Sequence, residues 1–179
     1  MNFTGTVPLE TSRLLLRPFA PSDVQDCLRF WAADPSVYRY ISQEPMTVDE
    51  IEEWLSKAAQ AYADPQTFYW AIVTKEQQEV IGELFVDSFS VRNSRCELDW
   101  KIGSRFWGNG YAVEAAECVL FYLTHEVGFH RIQAKCCVKN RASERVMQKI
   151  GMKKEGLFRD YFYSAEDGWQ DVVIYARLA

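Results

Sequence analysis

A turn of the form Arg-x-x-Gly-x-Gly, residues 105–110, stands between a strand-like run at 96–102 and a helical run at 111–124. A glycine-rich turn that feeds a helix start leaves several backbone N–H groups unpaired and aimed the same way. The helix dipole adds partial positive charge there, so an anionic phosphate is the natural guest. Gly108 and Gly110 let the main chain approach that guest with no Cβ in the way. A strand joined to a helix through such a turn points to an α/β architecture and to a phosphorylated small molecule as ligand.

One domain with a single core is what 179 residues accommodate. Residues 1–9 read as a loose lead-in and residues 10–179 as the domain. A hydrophobic share of 48% and a charged share of 25% are those of a soluble globular chain. The net charge of −5 argues against a nucleic-acid surface and is compatible with a cationic substrate. Five cysteines, at 27, 96, 118, 136 and 137, form no C-x-x-C pair and no regular spacing. They read as free thiols of a reducing, cytoplasmic compartment. His125 and His130 sit in no ligand pattern, so no metal is expected. No apolar run approaches the roughly 20 residues that span a bilayer, so no membrane is expected either.

Arg13-Leu-Leu-Leu-Arg17 is a short apolar strand ended by Pro18. Ser22-x-x-Gln25 predicts a capping box and a helix to about residue 33. Thr47-x-x-Glu50 predicts a second, opening a helix through about residue 62 with Ile51, Trp54, Leu55 and Ala58 on one face. The period then changes. Residues 68–74 and 80–86 read as a hairpin, followed by a strand at 96–102. Beyond the 111–124 helix come a strand at 131–138 and a helix from Asn140 with Gly151 as its C-cap. Strands at 153–162 and 169–178 flank a turn at 164–168. Antiparallel hairpins combined with one β-α-β crossover predict a mixed sheet of about seven strands with about four helices.

Several readings compete for the turn. It is a tight loop with no ligand, or one of the nucleotide motifs, or something else. A P-loop needs Gly-x-x-x-x-Gly-Lys-Ser/Thr, and no such Lys follows. A dinucleotide fingerprint needs a third glycine where Val113 stands. The turn instead resembles the acetyl-CoA-binding segment of the GNAT N-acetyltransferases. With Tyr111-Ala112-x-Glu114-Ala115 it is similar to the branch that includes the RimJ and RimL ribosomal-protein acetyltransferases. The resemblance covers roughly residues 10–178 in order: Thr11-x-Arg13-Leu-Leu-Leu-Arg17-Pro18, Val80-Ile-Gly82-Glu83, Asn140-x-x-Ser143, Lys149-Ile-Gly151-Met152-x-x-Glu155-Gly156 and Asp171-x-x-x-Tyr175-Ala176.

The resemblance implies acetyl transfer from acetyl-CoA to a primary amine, on a GNAT fold splayed between its fourth and fifth strands. The pantetheine arm would lie in that opening against the backbone of Trp100, Lys101 and Ile102, which would polarise the thioester carbonyl. Amides of Arg105, Phe106, Trp107, Gly108, Asn109, Gly110, Tyr111 and Ala112 would take the pyrophosphate. Arg105 either adds charge there or is a solvated surface arginine. Asn140 orients the pantetheine amide, caps its own helix, or does both.

Glu97 is the expected general base, at a position where this branch usually carries Glu. Asp99, two residues on and so on the same strand face, is its companion; two close carboxylates raise at least one pKa. Family members usually carry Gly where Asp99 stands. That departure means a more acidic acceptor pocket or a bulge that turns Asp99 outward. Glu83 on the neighbouring strand is the reserve candidate. Many family members place an acidic Tyr where this chain has Met147; the RimL-like branch instead carries a Ser three residues after the Asn, and that resemblance implies Ser143 as donor to the departing thiolate, unless it only helps cap its helix. Cys136 and Cys137 read as small core residues rather than nucleophiles.

Residues 31–46 and 161–171 are expected to wall the acceptor side. They carry Trp31, Tyr38, Tyr40, Tyr161, Phe162, Tyr163 and Trp169 beside Asp34, Glu44, Glu166, Asp167 and Asp171. An aromatic and acidic lining suits a cation. The resemblance tilts the acceptor towards a protein N-terminal amine. A small-molecule amine (polyamine, aminoglycoside or amino acid) and a non-catalytic CoA-binding sensor are the rival readings. A small domain this rich in aromatics is suited to a homodimer.

Overall fold

In the computed structural model, which describes residues 1–164 and 166–179, alternate residues of the strand Tyr69–Thr74 enter different cores. Trp70 and Ile72 face one, Ala71 and Val73 the other. A strand apolar on both faces must be covered on both, and helices do this. The strands are β1 Leu9–Glu10, β2 Leu14–Arg17, β3 Tyr69–Thr74, β4 Val80–Ser90, β5 Arg95–Ile102, β6 Arg131–Cys137, β7 Lys153–Ser164 and β8 Gly168–Leu178. The helices are α1 Val24–Phe30, α2 Pro35–Tyr38, α3 Val48–Ala61, α4 Tyr111–Tyr122 and α5 Arg141–Lys149. No helix of the described residues is long and apolar enough to cross a membrane.

One mixed sheet runs in the order β1-β2-β3-β4-β5-β6-β8-β7. Among the described residues only β5 and β6 pair in parallel, and the chain between them crosses over through α4. Helices α1 and α3 cover one face, burying Cys27, Phe30, Ile51 and Leu55 against Ala71 and Val73. Helices α4 and α5 cover the other, with Ala115, Ala116, Val119, Leu120 and Met147 against Leu14, Trp70, Leu84 and Leu98.

The architecture is the expected one, with local differences. An eighth strand, β1, pairs Leu9 with Leu16 and Glu10 with Leu15. Residues before it, expected to be loose, are pinned: Asn2 N–H donates to the Val127 carbonyl at 2.9 Å and Thr6 Oγ1 to the Thr67 carbonyl at 2.8 Å. Ser22 does not cap α1. The Asp23 carboxylate does the local work, accepting from Ala20 N–H and from both Arg17 Nη atoms, each at 2.8 Å. The helix ends at Phe30 rather than near residue 33, because Trp31 leaves helical geometry (φ −153°, ψ −41°) and goes into the core. A short fifth helix, α2, follows, capped by Asp34 accepting from Ser36 N–H at 2.9 Å. The capping box of α3 is present, with Thr47 N–H donating to Glu50 at 2.7 Å. The β7–β8 turn expected at 164–168 includes Ala165, which lies outside the described residues.

One carboxylate ties the start of α4 to the sheet edge. Glu114 accepts from Thr11 Oγ1 at 2.5 Å, Ser12 Oγ at 3.1 Å, Arg13 N–H at 2.9 Å and Arg13 Nε at 2.7 Å. Burial alone would raise the Glu114 carboxyl, but these bonds hold it below its ordinary value. Its stabilising effect is therefore present above about pH 4.5 and is lost as pH falls. Glu114→Ala should lower stability by about 1.5–3 kcal/mol, the range for hydrogen bonds to a charged group. Urea unfolding at pH 7 and in acid checks this: the midpoints should differ at pH 7 and converge at low pH, and equal midpoints at pH 7 contradict it.

Candidate active site

Parallel pairing between β5 and β6 lasts three residue pairs: Arg95 with Arg131, Cys96 with Ile132 and Glu97 with Gln133. Beyond Glu97, β5 continues to Ile102 against β4 alone, while Ala134 to Cys137 of β6 pair only with β8. The sheet therefore forks. Residues 98–102, including Trp100, Lys101 and Ile102, present a strand edge with no partner on the β6 side. These are the fourth and fifth strands of the sequence reading.

The glycine turn lies past the open end of β5. Gly108 and Gly110 have φ of 80° and 82°, left-handed values that a residue with a Cβ adopts only under strain. Gly110 is the N-cap of α4 and offers no side-chain cap. Among the described residues, the N–H groups of residues 108–113 have no backbone or side-chain acceptor. The space beside Gly108 is open, with no atom within 4 Å of where a Cβ would stand. An anion fits such a cradle. The turn's side chains shape it rather than line it. Asn109 Nδ2 donates to the Phe106 carbonyl at 3.1 Å, and the Trp107 indole donates to the Ile102 carbonyl at 2.7 Å. Phe106 packs into both cores. Arg105 is exposed, its guanidinium 5.8 Å from the Phe30 ring. Tyr111 lies under the Arg13 guanidinium at 4.6 Å, and Arg13 Nη1 donates to the Asn109 carbonyl at 2.9 Å.

Glu97, Asp99 and Lys101 alternate along β5 and share one face. Glu97 is buried, and both of its oxygens are engaged by β6: Oε1 by Lys135 Nζ and Oε2 by Gln133 Nε2 at 2.8 Å. Glu83 of β4 is similarly occupied, by Lys101 Nζ at 2.6 Å and by the Tyr69 hydroxyl. Asp99 differs. Among the described residues none donates a hydrogen bond to its carboxyl, and it lies beside Glu97 and Asp87, the three carboxylates having oxygens within 4.8 Å of one another. Asp87 belongs to a bulge in β4 between Val86 and Ser88. Burial first, and the Glu97 charge second, push the Asp99 acid up to about 7.

Across the fork, Asn140 caps α5 by accepting from Ser143 N–H at 3.1 Å. Ser143 is part-buried and its hydroxyl lies against the Cys136 thiol. Burial pushes that thiol up to about 12, which leaves it a poor nucleophile. Cys137 is buried with its thiol on Gln170. Met147 is fully buried in the core.

The acceptor-side segments divide. Trp31 is 1% exposed, packed against Phe19 and Trp54, and so belongs to the core. Asp34 is spent on backbone, holding Ser36 and also Ser104 N–H at 3.1 Å. Tyr38 does reach the charged row, with Lys101 Nζ 5.7 Å from its ring. On the β7–β8 hairpin, Tyr161, Tyr163 and Trp169 are exposed, and Lys135 Nζ stands 5.8 Å from the Tyr161 ring. Asp171 accepts from Asp160 N–H at 3.0 Å, and Asp167 pairs with Lys139 at 3.3 Å. Lys135, Gln133 and Asp87 are the members of this site that sequence reasoning did not name.

The family model described as an acetyltransferase (GNAT) domain matches residues 13–153. The N-acetyltransferase p20 of Bacillus licheniformis is 30% identical over 154 residues, covering 86% of each chain. The ribosomal protein uS5-alanine N-acetyltransferase of Escherichia coli K12 is 32% identical over 113 residues, 61% of this chain and 56% of that one. A GNAT-family acetyltransferase structure from Bacillus anthracis superposes with a TM-score of 0.84 at 27% identity, covering 96% of this chain and 98% of that one. The chain belongs to the GNAT acetyltransferase family. It is an acyltransferase of RimJ/RimL-like kind, from a family that uses acetyl-CoA.

An acid raised from 3.8 to about 7 binds its proton more tightly in the folded than in the unfolded chain. Stability should therefore fall as pH climbs from about 4 to 7 and stay lower above that. Asp99→Asn removes the effect. At pH 8 the variant should melt above the parent by about 2–4 °C for each kcal/mol relieved, and near pH 4 the two should converge. Thermal unfolding across pH measures this, and coincident curves at pH 8 contradict it.

Proposed function

We propose that the protein transfers acetyl from acetyl-CoA to a primary amine, an N-terminal protein amine being the favoured acceptor. The observation that carries this reading is the forked sheet, with unpaired helix N–H groups beyond the β5 prong and a carboxylate row along that same strand. The diphosphate of acetyl-CoA would lie on the N–H groups of residues 108–112, with Arg105 adding charge from the surface. The arm would follow the free edge of β5, where backbone groups of Trp100, Lys101 and Ile102 are available to it. Asn140, already capping α5, would face it from the other prong.

Attack is direct. The amine nitrogen bonds to the thioester carbonyl carbon, and the nitrogen gives up a proton to a carboxylate of the β5 row. The C–S bond then breaks with its electron pair on sulfur, and the thiolate takes a proton from water, directly or relayed through the Ser143 hydroxyl, which regains its proton from solvent. A thiolate whose conjugate acid is near 8.5 leaves readily, so a buried Met147 in place of a tyrosine is no obstacle. Glu97, the base expected from the resemblance, has both oxygens engaged. Asp99 has neither engaged, and its acid sits near the working pH, which suits proton transfer. We therefore assign the proton acceptor role to Asp99, with Glu97 as its neighbour.

Similarity to an enzyme whose name specifies ribosomal protein uS5 alanine supports a protein amine as acceptor. The exposed rings of Tyr161, Tyr163 and Trp169 beside the mouth offer apolar surface to residues that follow such an amine. Thiol release from acetyl-CoA, with a panel of N-terminal peptides, polyamines, aminoglycosides and amino acids, tests the reading. Peptides should give the highest kcat/KM, rising through about pH 7, and Asp99→Asn should lose about 10²–10⁴-fold. Preference for a small amine would overturn the protein acceptor, and no thiol release with any amine would overturn acetyl transfer.

A further inference from the structure

Glu97 marks the crotch of the fork, and Lys135 is the residue that reaches back to it. Gln133 is the last residue of β6 paired with β5. Lys135 lies two positions further on the same strand face, where the backbone of β6 pairs only with β8, Lys135 opposite Ile174. Its ammonium nevertheless bonds Glu97 Oε1, while Gln133 holds Oε2. The side chains of the two are 27% and 8% exposed, so the pair is shielded from screening by salt.

We propose that Lys135 is a positioning residue for the acetyl transfer: by bonding Glu97 across the point where β5 and β6 part, it takes Glu97 out of the proton path and leaves Asp99 as the carboxylate that receives the amine proton. This rests on the reading of Asp99 given above. The charges facing Asp99 are Glu97 and Lys101 on its own strand, Asp87 on β4 and Lys135 on β6. Of the two lysines, Lys101 is committed to Glu83 at 2.6 Å. Lys135, bonded to Glu97, is thus the cation set between Glu97 and Asp99, and of the two lysines it favours the charged Asp99 more. It is also tied to the acceptor mouth, through the Tyr161 ring at 5.8 Å. That ring stands on a bulge of β7, between Phe158 and Phe162, where Asp160 adopts φ 49°. Bulges of this kind re-aim a side chain beside an active site.

Removing the cation and removing its partner should act in opposite directions, which a purely architectural role does not predict. Losing Lys135 leaves Asp99 beside uncompensated negative charge, so its proton is held more tightly. Losing the Glu97 charge removes the nearest repulsion and frees Lys135, so the proton is held less tightly.

The experiment is the pH profile of kcat/KM with one fixed peptide acceptor, so that the acceptor's own ionisation is common to every variant. Lys135→Met should move the lower limb up by about one pH unit, a loss of about tenfold at pH 6 that recovers at high pH. Lys135→Arg should restore the parent profile, and Glu97→Gln should move the limb down. Carboxyl-carbon NMR of Asp99 in each variant reads the same shifts without turnover, and circular dichroism verifies folding. A limb and an Asp99 titration unmoved in Lys135→Met overturn the proposal. If the limb persists in Asp99→Asn at parental rate, the reading of Asp99 itself fails, and the two failures are separable.

Discussion

The parting of β5 and β6 after three residue pairs is the feature on which the site depends. A parallel pair needs a crossover, and the crossover helix α4 begins where β5 runs out. The same event therefore creates a strand edge without a partner and a helix N-terminus without a cap. Backbone groups left unpaired inside a fold are costly unless something bonds them. In the proposed binding mode, a ligand with amide groups along an arm and a diphosphate at its head would satisfy both sets at once. Gly108 and Gly110 keep the second set reachable, and the Glu114 clamp keeps the helix that carries it in place.

Charge on the acceptor face is arranged against stability. Asp87, Glu97 and Asp99 would repel one another on a half-buried surface; Lys135 compensates Glu97, while Lys101 and the Tyr69 hydroxyl are spent on Glu83 of the neighbouring strand. Glu83 and Glu97 are each matched with a partner. Asp99 is not; burial first, and the Glu97 charge second, raise its acid to about 7. An unmatched carboxylate is a poor structural element, because burial penalises its charge. It is a good proton acceptor for the same reason. In the proposed reaction, destabilisation and chemistry are two readings of one desolvated group.

Much of this was legible in the sequence because it is local. The glycine turn, the Thr47–Glu50 capping box and the period-two strands each announce themselves within a few residues, and together they imply the mixed sheet. Glu97 and Asp99 share a strand face by simple alternation. What stayed hidden was relational. Lys135 and Gln133 join Glu97 only through the register of a parallel pair separated by a helix, although the polar alternation of Arg131, Gln133 and Lys135 marks a hydrophilic face. Two-residue β1 is too short to carry a period. Trp31 illustrates the opposite failure: an aromatic beside acids reads equally as pocket wall or core, and packing against Trp54 decides for core.

Acetyl-CoA in the fork, with its diphosphate on the turn that opens α4, is the binding mode on which the proposed reaction rests. Backbone amide NMR of the intact protein, titrated with coenzyme A, tests it most directly. The largest shifts are expected at residues 108–113, accompanied by shifts along residues 98–102 and at Asn140, with the far edge at β1 undisturbed. Saturating coenzyme A that leaves residues 108–113 unmoved, or perturbs a different face of the sheet, would contradict it.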